Sequence, residues 1–176
     1  MADINLTVPV ATAEAGYRTE PVWDLIELLF FAYRDFVGDA DAVLAKFGFG
    51  RAYHRVLHFV NRNPGMKVAE LLGILKITKQ SLGRVLKQLI DEGYVEQKEG
   101  ATDRRQRLLF VTARGEALAL RLAGLQSARI GRALAGPGSG DRDTARRFLV
   151  AMLDPGQRDG VLRLVDRADP ARRRRP

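Results

Sequence analysis

Thr78-Lys79-Gln80-Ser81-Leu82-Gly83-Arg84-Val85-Leu86-Lys87-Gln88-Leu89-Ile90-Asp91-Glu92, followed by Gly93-Tyr94-Val95, is the stretch on which the fold turns. Leu82, Val85, Leu86, Leu89 and Ile90 recur at helical spacing and must face a core. Thr78 is of the type that caps a helix N-terminus, and Gly93 suits the left-handed residue that ends one, so a helix is expected from Thr78 to Glu92. That arrangement leaves Lys79, Gln80, Ser81, Arg84, Lys87 and Gln88 facing outward. A helix that enters the major groove needs such a face: Arg84 can bond guanine bidentately, Gln80 can do the same to adenine, and Lys79 and Lys87 can hold phosphates. Any surface helix also shows Lys, Gln and Arg, so the flanking elements have to decide between the two readings. Gly83 costs about 1 kcal/mol of helix stability relative to Ala. Close approach to DNA or to the preceding helix would explain it, and so would simple tolerance.

Working outward, the segment before Thr78 reads as a helix from Gly50 to Arg62, the turn Asn63-Pro64-Gly65, and a short helix from Val68 to Lys76. After Gly93, Tyr94 to Lys98 and Arg107 to Val111 read as strands joined by the polar segment Glu99 to Gln106, a hairpin with a long tip. Three helices followed by a two-stranded wing form a winged helix-turn-helix. The tip Gly100-Ala101-Thr102-Asp103-Arg104-Arg105-Gln106-Arg107 is dense in arginine. A thin basic loop can enter a narrow minor groove, where negative potential concentrates. Asp103 would be repelled by phosphate, so its expected role is to hold a neighbouring Arg in direction. The alternative is a solvated charged loop.

Beyond this unit, residues 1–19 have no sustained period and are expected to form a flexible arm. Pro21 suits the first turn of a helix running to Phe36, followed by a loop rich in Gly and Asp, so that 20–48 form one segment. Ile26, Leu29, Phe30, Tyr33 and Val37 make one apolar stripe; Val22, Leu25, Leu28, Ala32 and Phe36 make another. A helix apolar on two sides needs cover from its own core and from a second chain. After the winged unit, 49–112, a long helix begins at Thr112. Leu118, Leu122 and Leu125 give it an apolar stripe, and Ala117, Gly124, Ala128 and Gly131 a small-residue side for close approach. The break Gly136-Pro137-Gly138-Ser139-Gly140 precedes a last helical region from Asp141 to Val165, interrupted at Asp154-Pro155-Gly156. Residues 113–168 are expected to supply the rest of a dimerisation domain, and 169–176 a basic disordered tail. The fold class is therefore mainly α with a small β-hairpin wing, flanked by N- and C-terminal dimerisation helices.

The whole composition fits this reading. The 176 residues carry 29 Lys and Arg against 21 Asp and Glu, a formal charge of +8, which attracts polyanions. There is no Cys, so disulfides, thiolate metal sites and thiol redox sensing are excluded. Glu27 interrupts the richest apolar run, Leu25 to Tyr33, itself far too short to span a bilayer, and no signal-type stretch is apparent; a cytoplasmic protein without membrane contact is expected. No Gly-rich phosphate loop, nucleophile motif or metal cluster suggests an enzyme, and no cofactor is expected. His54 and His58 have a spacing that can hold a metal, yet no Cys or adjacent carboxylate accompanies them, and none is expected. His58 instead continues the basic line Arg51, Arg55, Arg62.

From Pro21 to Val165 the chain resembles the MarR family of regulators, whose mark is a wing containing Asp-x-Arg and a strand ending in Leu-Thr-x-x-Gly. Here the corresponding residues are Asp103-Arg104-Arg105 and Phe110-Val111-Thr112-Ala113-Arg114-Gly115. The junction Leu89-Ile90-Asp91-Glu92-Gly93-Tyr94-Val95 is similar too. Gly50-Arg51-Ala52-Tyr53-His54-Arg55-Val56-Leu57 with Thr78-Lys79-Gln80-Ser81-Leu82 resembles the PetP-type subgroup of alphaproteobacteria. The resemblance implies that Arg105 is the minor-groove arginine and Asp103 its support. It implies a homodimeric regulator, more often a repressor, on an inverted-repeat operator in double-stranded DNA. It also implies a small aromatic or anionic effector held between the dimerisation helices and the DNA-reading unit. Trp23, Phe30, Tyr33, Phe47 and His54 are of the right types to line that cleft, although such residues are more often ordinary core. The chain departs from the commonest pattern by a longer turn at Ile74-Leu75-Lys76-Ile77, which leaves the individual base contacts open. The rival reading is a winged-helix module for protein docking or RNA binding without operator specificity.

Overall fold

The computed structural model describes residues 20–100, 106–136, 138 and 140–168. Seven helices and a small sheet follow one another as α1 (Trp23–Leu44), a short 3-10 turn (Ala45–Phe47), α2 (Arg51–Arg62), β1 (Met66–Lys67), α3 (Val68–Leu75), α4 (Lys79–Asp91), β2 (Val95–Glu99), β3 (Arg107–Val111), α5 (Ala113–Leu134), α6 (Arg142–Ala151) and α7 (Pro155–Arg167). The expected winged helix-turn-helix is present, as α2, α3 and α4 followed by the β2–β3 hairpin. The expected arm, the basic tail and the wing-tip residues Asp103, Arg104 and Arg105 lie outside the described residues.

The core sits between α2, α3, α4 and the sheet, and α5 closes it. Val56, Leu57 and Val60 of α2, Leu71 and Leu75 of α3, and Leu82, Leu86 and Leu89 of α4 are all buried in it, with Leu109 of β3 and Leu118 and Leu122 of α5. Local chemistry fixes where the helices begin and end. The Glu70 carboxylate accepts from the Lys67 backbone N–H at 2.8 Å and so caps α3. The Thr78 hydroxyl accepts from the Ser81 N–H at 3.1 Å and starts α4. Asp141 and Asp154 cap α6 and α7 in the same manner, with Pro155 in the first turn of α7.

Two elements differ from the sequence expectation. Helix α1 starts at Trp23 rather than in a turn containing Pro21, and it runs through Gly38-Asp39-Ala40-Asp41, which was expected to be loop. The reason is tertiary: Val37, Ala40 and Leu44 are buried at helical spacing, Asp39 pairs with Arg129 of α5 at 2.9 Å, and Asp41 pairs with Arg51 of α2 at 2.8 Å. These contacts outweigh the intrinsic penalty of one Gly and two Asp in a helix. The second difference is strand β1, which adds a third member to the hairpin in the order β1-β3-β2. Met66 lies opposite Leu109, and Gly65, at φ 80°, donates its N–H to the Leu109 carbonyl at 2.9 Å. The Asn63-Pro64-Gly65 turn thereby fastens the end of α2 to the wing.

Candidate nucleic-acid interface

Helix α4 presents its polar side to solvent while Leu82, Val85, Leu86 and Leu89 anchor the other side. Thr78, Lys79, Gln80, Arg84 and Lys87 are exposed, and Ser81 is half-buried beside the cap, where its hydroxyl lies 2.9 Å from that of Thr78. At 3.6 residues per turn, Gln80, Arg84 and Lys87 share one face, and Asp91 continues it at the helix end. Lys87 makes an ion pair with Asp91 along that face. Gln88 is placed differently. It lies on the flank and is half-buried, accepting from the Tyr53 hydroxyl at 2.5 Å and donating to the Glu92 carboxylate at 2.8 Å. Among the described residues nothing lies within 4 Å of a Cβ built on Gly83, so close approach of the preceding helix does not account for that glycine.

The turn before α4 holds Lys76 in a left-handed conformation at φ 52°, and the Arg55 guanidinium donates to the Leu75 carbonyl at 3.0 Å, closing the end of α3. The additional residues of this turn are thus accommodated by one strained lysine and one bond from α2.

The wing stands on a clamp formed by Thr112 and Gly115. The Thr112 N–H donates to the Tyr94 carbonyl at 3.1 Å, the Thr112 hydroxyl donates to the Gly93 carbonyl at 2.7 Å, and the same hydroxyl accepts from the Gly115 N–H at 3.1 Å. The Leu-Thr-x-x-Gly mark therefore has a physical role: it ties the start of α5 to the junction between α4 and β2. Along the hairpin, Val95 faces Val111 and Glu99 faces Arg107, with which it pairs at 3.0 Å; Gly100 donates to the Gln106 carbonyl at 3.0 Å as the strands reach the tip. Arg107 is exposed at the tip's base, and Lys98 lies 5.0 Å from the Phe110 ring centroid.

Of the residues expected to line an effector cleft, Tyr33 and His54 meet at one hollow of about 250 Å³, shared with Phe36, Arg55, His58 and Gln126. Burial pushes the His54 imidazole below the usual histidine range, against the opposing pull of the Asp41 carboxylate. Burial lowers His58 also, and the charges of His54 and Arg62 act in the same direction. Trp23 and Phe30 stand away from this hollow, 64% and 69% exposed on α1. Phe47 belongs to a separate aromatic cluster, with ring centroids 6.2 Å from Phe49 and 6.3 Å from Tyr94. The sequence reading passed over Tyr53 and Arg114, which hold α4 and its exit. The recurrence of aromatic residues at Phe49 and Tyr53 was the available signal.

Comparison with known proteins agrees with this geometry. The MarR family model matches residues 47–106. The HTH-type transcriptional regulator PetP of Rhodobacter capsulatus is 44% identical over 141 residues, covering 80% of this chain and 85% of that protein. Among solved structures, a MarR family transcriptional regulator from Listeria monocytogenes complexed with 26mer DNA shares the fold, with a TM-score of 0.63 at 19% identity over 81% of this chain and 93% of that one. A MarR family protein of Mycobacterium tuberculosis in complex with p-aminosalicylic acid is 26% identical, with a TM-score of 0.50 over 73% of this chain and 93% of that one. Identity at this level, running well past the winged unit into the flanking helices, places the chain in the MarR family of helix-turn-helix transcriptional regulators.

Proposed function

We propose that two copies of this chain form a cytoplasmic homodimer that binds an inverted-repeat operator in double-stranded DNA and represses transcription by covering promoter sequence. The observation that carries the reading is the exposed face of α4, where Gln80, Arg84 and Lys87 stand together on a helix anchored from behind. A paired arrangement would put one such helix into each of two successive major grooves. Thr78, Lys79 and Ser81 at the start of α4 would meet phosphate. Arg104 and Arg105, directed by Asp103, would enter the adjacent minor groove. Related proteins solved with DNA support the partner class.

A small aromatic anion is the proposed effector. The hollow at Tyr33 and His54 combines apolar walls with Arg55 and two imidazoles, and a related protein was solved with p-aminosalicylic acid. Binding would favour dimers whose α4 helices are wrongly spaced for DNA.

A mobility-shift titration against selected duplexes tests the reading. The full chain should choose a short inverted repeat, with affinity falling steeply as salt rises. Equal binding to every duplex, or preference for RNA, would instead identify a docking or RNA-binding module. Arg105→Ala should weaken operator binding without loosening the dimer, and unchanged fluorescence anisotropy would remove the wing from the mechanism. Arg84→Ala should alter the preferred bases at one position of each half-site, by about 1–3 kcal/mol of discrimination. Recovery of the wild-type site from a selection experiment would refute that assignment.

A further inference from the structure

Gln88 is held at both ends of its amide. Its Oε1 accepts from the Tyr53 hydroxyl at 2.5 Å, and its Nε2 donates to a Glu92 carboxylate oxygen at 2.8 Å. A glutamine that reads adenine needs its amide O and N together at the base edge. Here both are engaged within the protein. Position within the helix points the same way, since base contacts of a recognition helix come mainly from its N-terminal residues and Gln88 lies near the C-terminus of α4.

Tyr53 is itself fixed in place. Its ring stacks on Phe49 at 4.7 Å with an interplanar angle of 4°, and Phe49 meets Tyr94 edge-on at 5.2 Å. Arg114 in turn lies 4.2 Å over the Tyr94 ring and donates to the Glu92 backbone carbonyl at 2.7 Å. The C-terminal half of α4 is therefore gripped from α2 through Tyr53 and from α5 through Arg114. The apolar contacts of Leu82, Val85, Leu86 and Leu89 set which side of the helix is buried, but burial is not directional and tolerates small rotations, whereas a hydrogen bond fixes a direction.

We propose that Tyr53 and Gln88 are a positioning pair that sets the roll of α4 about its own axis, and through it which base edges Gln80 and Arg84 reach. Gln88 is then a positioning residue rather than a base reader, and Tyr53 contributes to sequence specificity without touching DNA. The inference rests on the operator-binding reading above.

The test uses the full chain, its selected operator and an unrelated duplex of equal length, with anisotropy titrations of wild type, Tyr53→Phe, Gln88→Ala and the double variant. Tyr53→Phe keeps the ring stack and removes the hydroxyl, and Gln88→Ala supplies the same test from the other side should the first variant fail to fold. Operator affinity should fall about fivefold for either variant while unrelated-duplex affinity stays within about twofold, the size expected for one hydrogen bond. The double variant should be no weaker than Gln88→Ala alone, because that variant has already lost the bond to Tyr53. Selection from random duplexes should return blurred preference at several positions. Wild-type behaviour of Tyr53→Phe would overturn the proposal, as would equal losses on both duplexes. A change at one base position in Gln88→Ala that Tyr53→Phe lacks would make Gln88 a reader and overturn it also. A wild-type chain without operator preference overturns this inference and the operator reading together, whereas a selective wild type with an indifferent Tyr53→Phe overturns this one alone.

Discussion

A Cβ added at Gly115 would lie 1.9 Å from the Tyr94 carbonyl oxygen and 2.9 Å from its carbon, both backbone atoms that cannot step aside. That carbonyl already accepts from Thr112, so the clamp below the wing has no room for a methyl group. Gly115→Ala should therefore destabilise the chain by about 1–3 kcal/mol, the usual range for overpacking, seen as a lower thermal unfolding midpoint. An unchanged midpoint would mean that the clamp yields. Gly83 is the converse case: with open space around it, Gly83→Ala should raise stability by up to about 1 kcal/mol. If operator affinity drops at the same time, DNA approaches that position closely; if it does not, the glycine is merely tolerated. The histidines make a pH-dependent prediction. Burial holds His54 and His58 below their ordinary range in the folded chain, so at mildly acid pH the unfolded chain binds more protons. Stability is then complete above the unfolded pKa of about 6.5 and declines as pH falls below it. The urea midpoint should drop between about pH 7 and about pH 5.5, and drop less in His58→Gln; parallel curves for the two proteins would exclude His58 as a cause.

At the scale of elements, the capped ends and the long apolar period of α4 made it readable from sequence, and its Thr78 cap supplies a measurable contribution. Thr78→Ala should cost about 1 kcal/mol and speed hydrogen exchange in the first turn of α4 before that of α2; uniform exchange would show that tertiary packing alone holds the turn. The other elements were readable to the degree that their signal was local. The hairpin strands, with alternation and flanking turns, fell within a residue of their expected bounds. Strand β1 carries two residues, too few for a period, and exists because Met66 and Lys67 meet Leu109 and Leu108 across β3. Helix α1 was read too short because Gly38, Asp39 and Asp41 are local breakers, while Arg129 and Arg51, which each pair with one oxygen of the two carboxylates, are distant or follow a turn. The outward face of α4 was legible by the same arithmetic as its buried face, except at Gln88. A flank position can turn either way, and Tyr53 on another helix decides it. Phe47 was assigned by residue type, and type does not reveal that Phe49 and Tyr94 claim its ring.

For the whole molecule, the dominant feature is the amount of apolar surface that one chain leaves uncovered. On α1, Trp23, Leu25, Leu28, Phe30, Phe31 and Tyr33 are all exposed, and only Val37, Ala40 and Leu44 near the other end are buried in the chain's own core. Phe148 and Leu149 of α6 and Met152 at its C-terminal cap are exposed as well. Among the described residues nothing lies within 4 Å of a Cβ on Gly124 or Gly131 along α5, which leaves that small-residue side open for a second helix. Apolar surface on this scale marks an interface, and a second copy is the occupant that the proposed operator symmetry requires, with two-fold pairing placing every substitution in the interface twice. Leu28 and Phe30, 61% and 69% exposed, make no call on the chain's own core, so a charge there should leave the single chain folded. Leu28→Glu and Phe30→Glu would each bury two carboxylates in an apolar seam, a cost of several kcal/mol per ion if left unpaired. Each variant should sediment as a folded monomer with the helical circular dichroism of wild type. Each should also lose operator binding at concentrations where wild type is saturated, because one α4 helix cannot span two half-sites. A variant that remained dimeric and bound operator normally would place the interface on other helices, and α6 would be the next surface to charge.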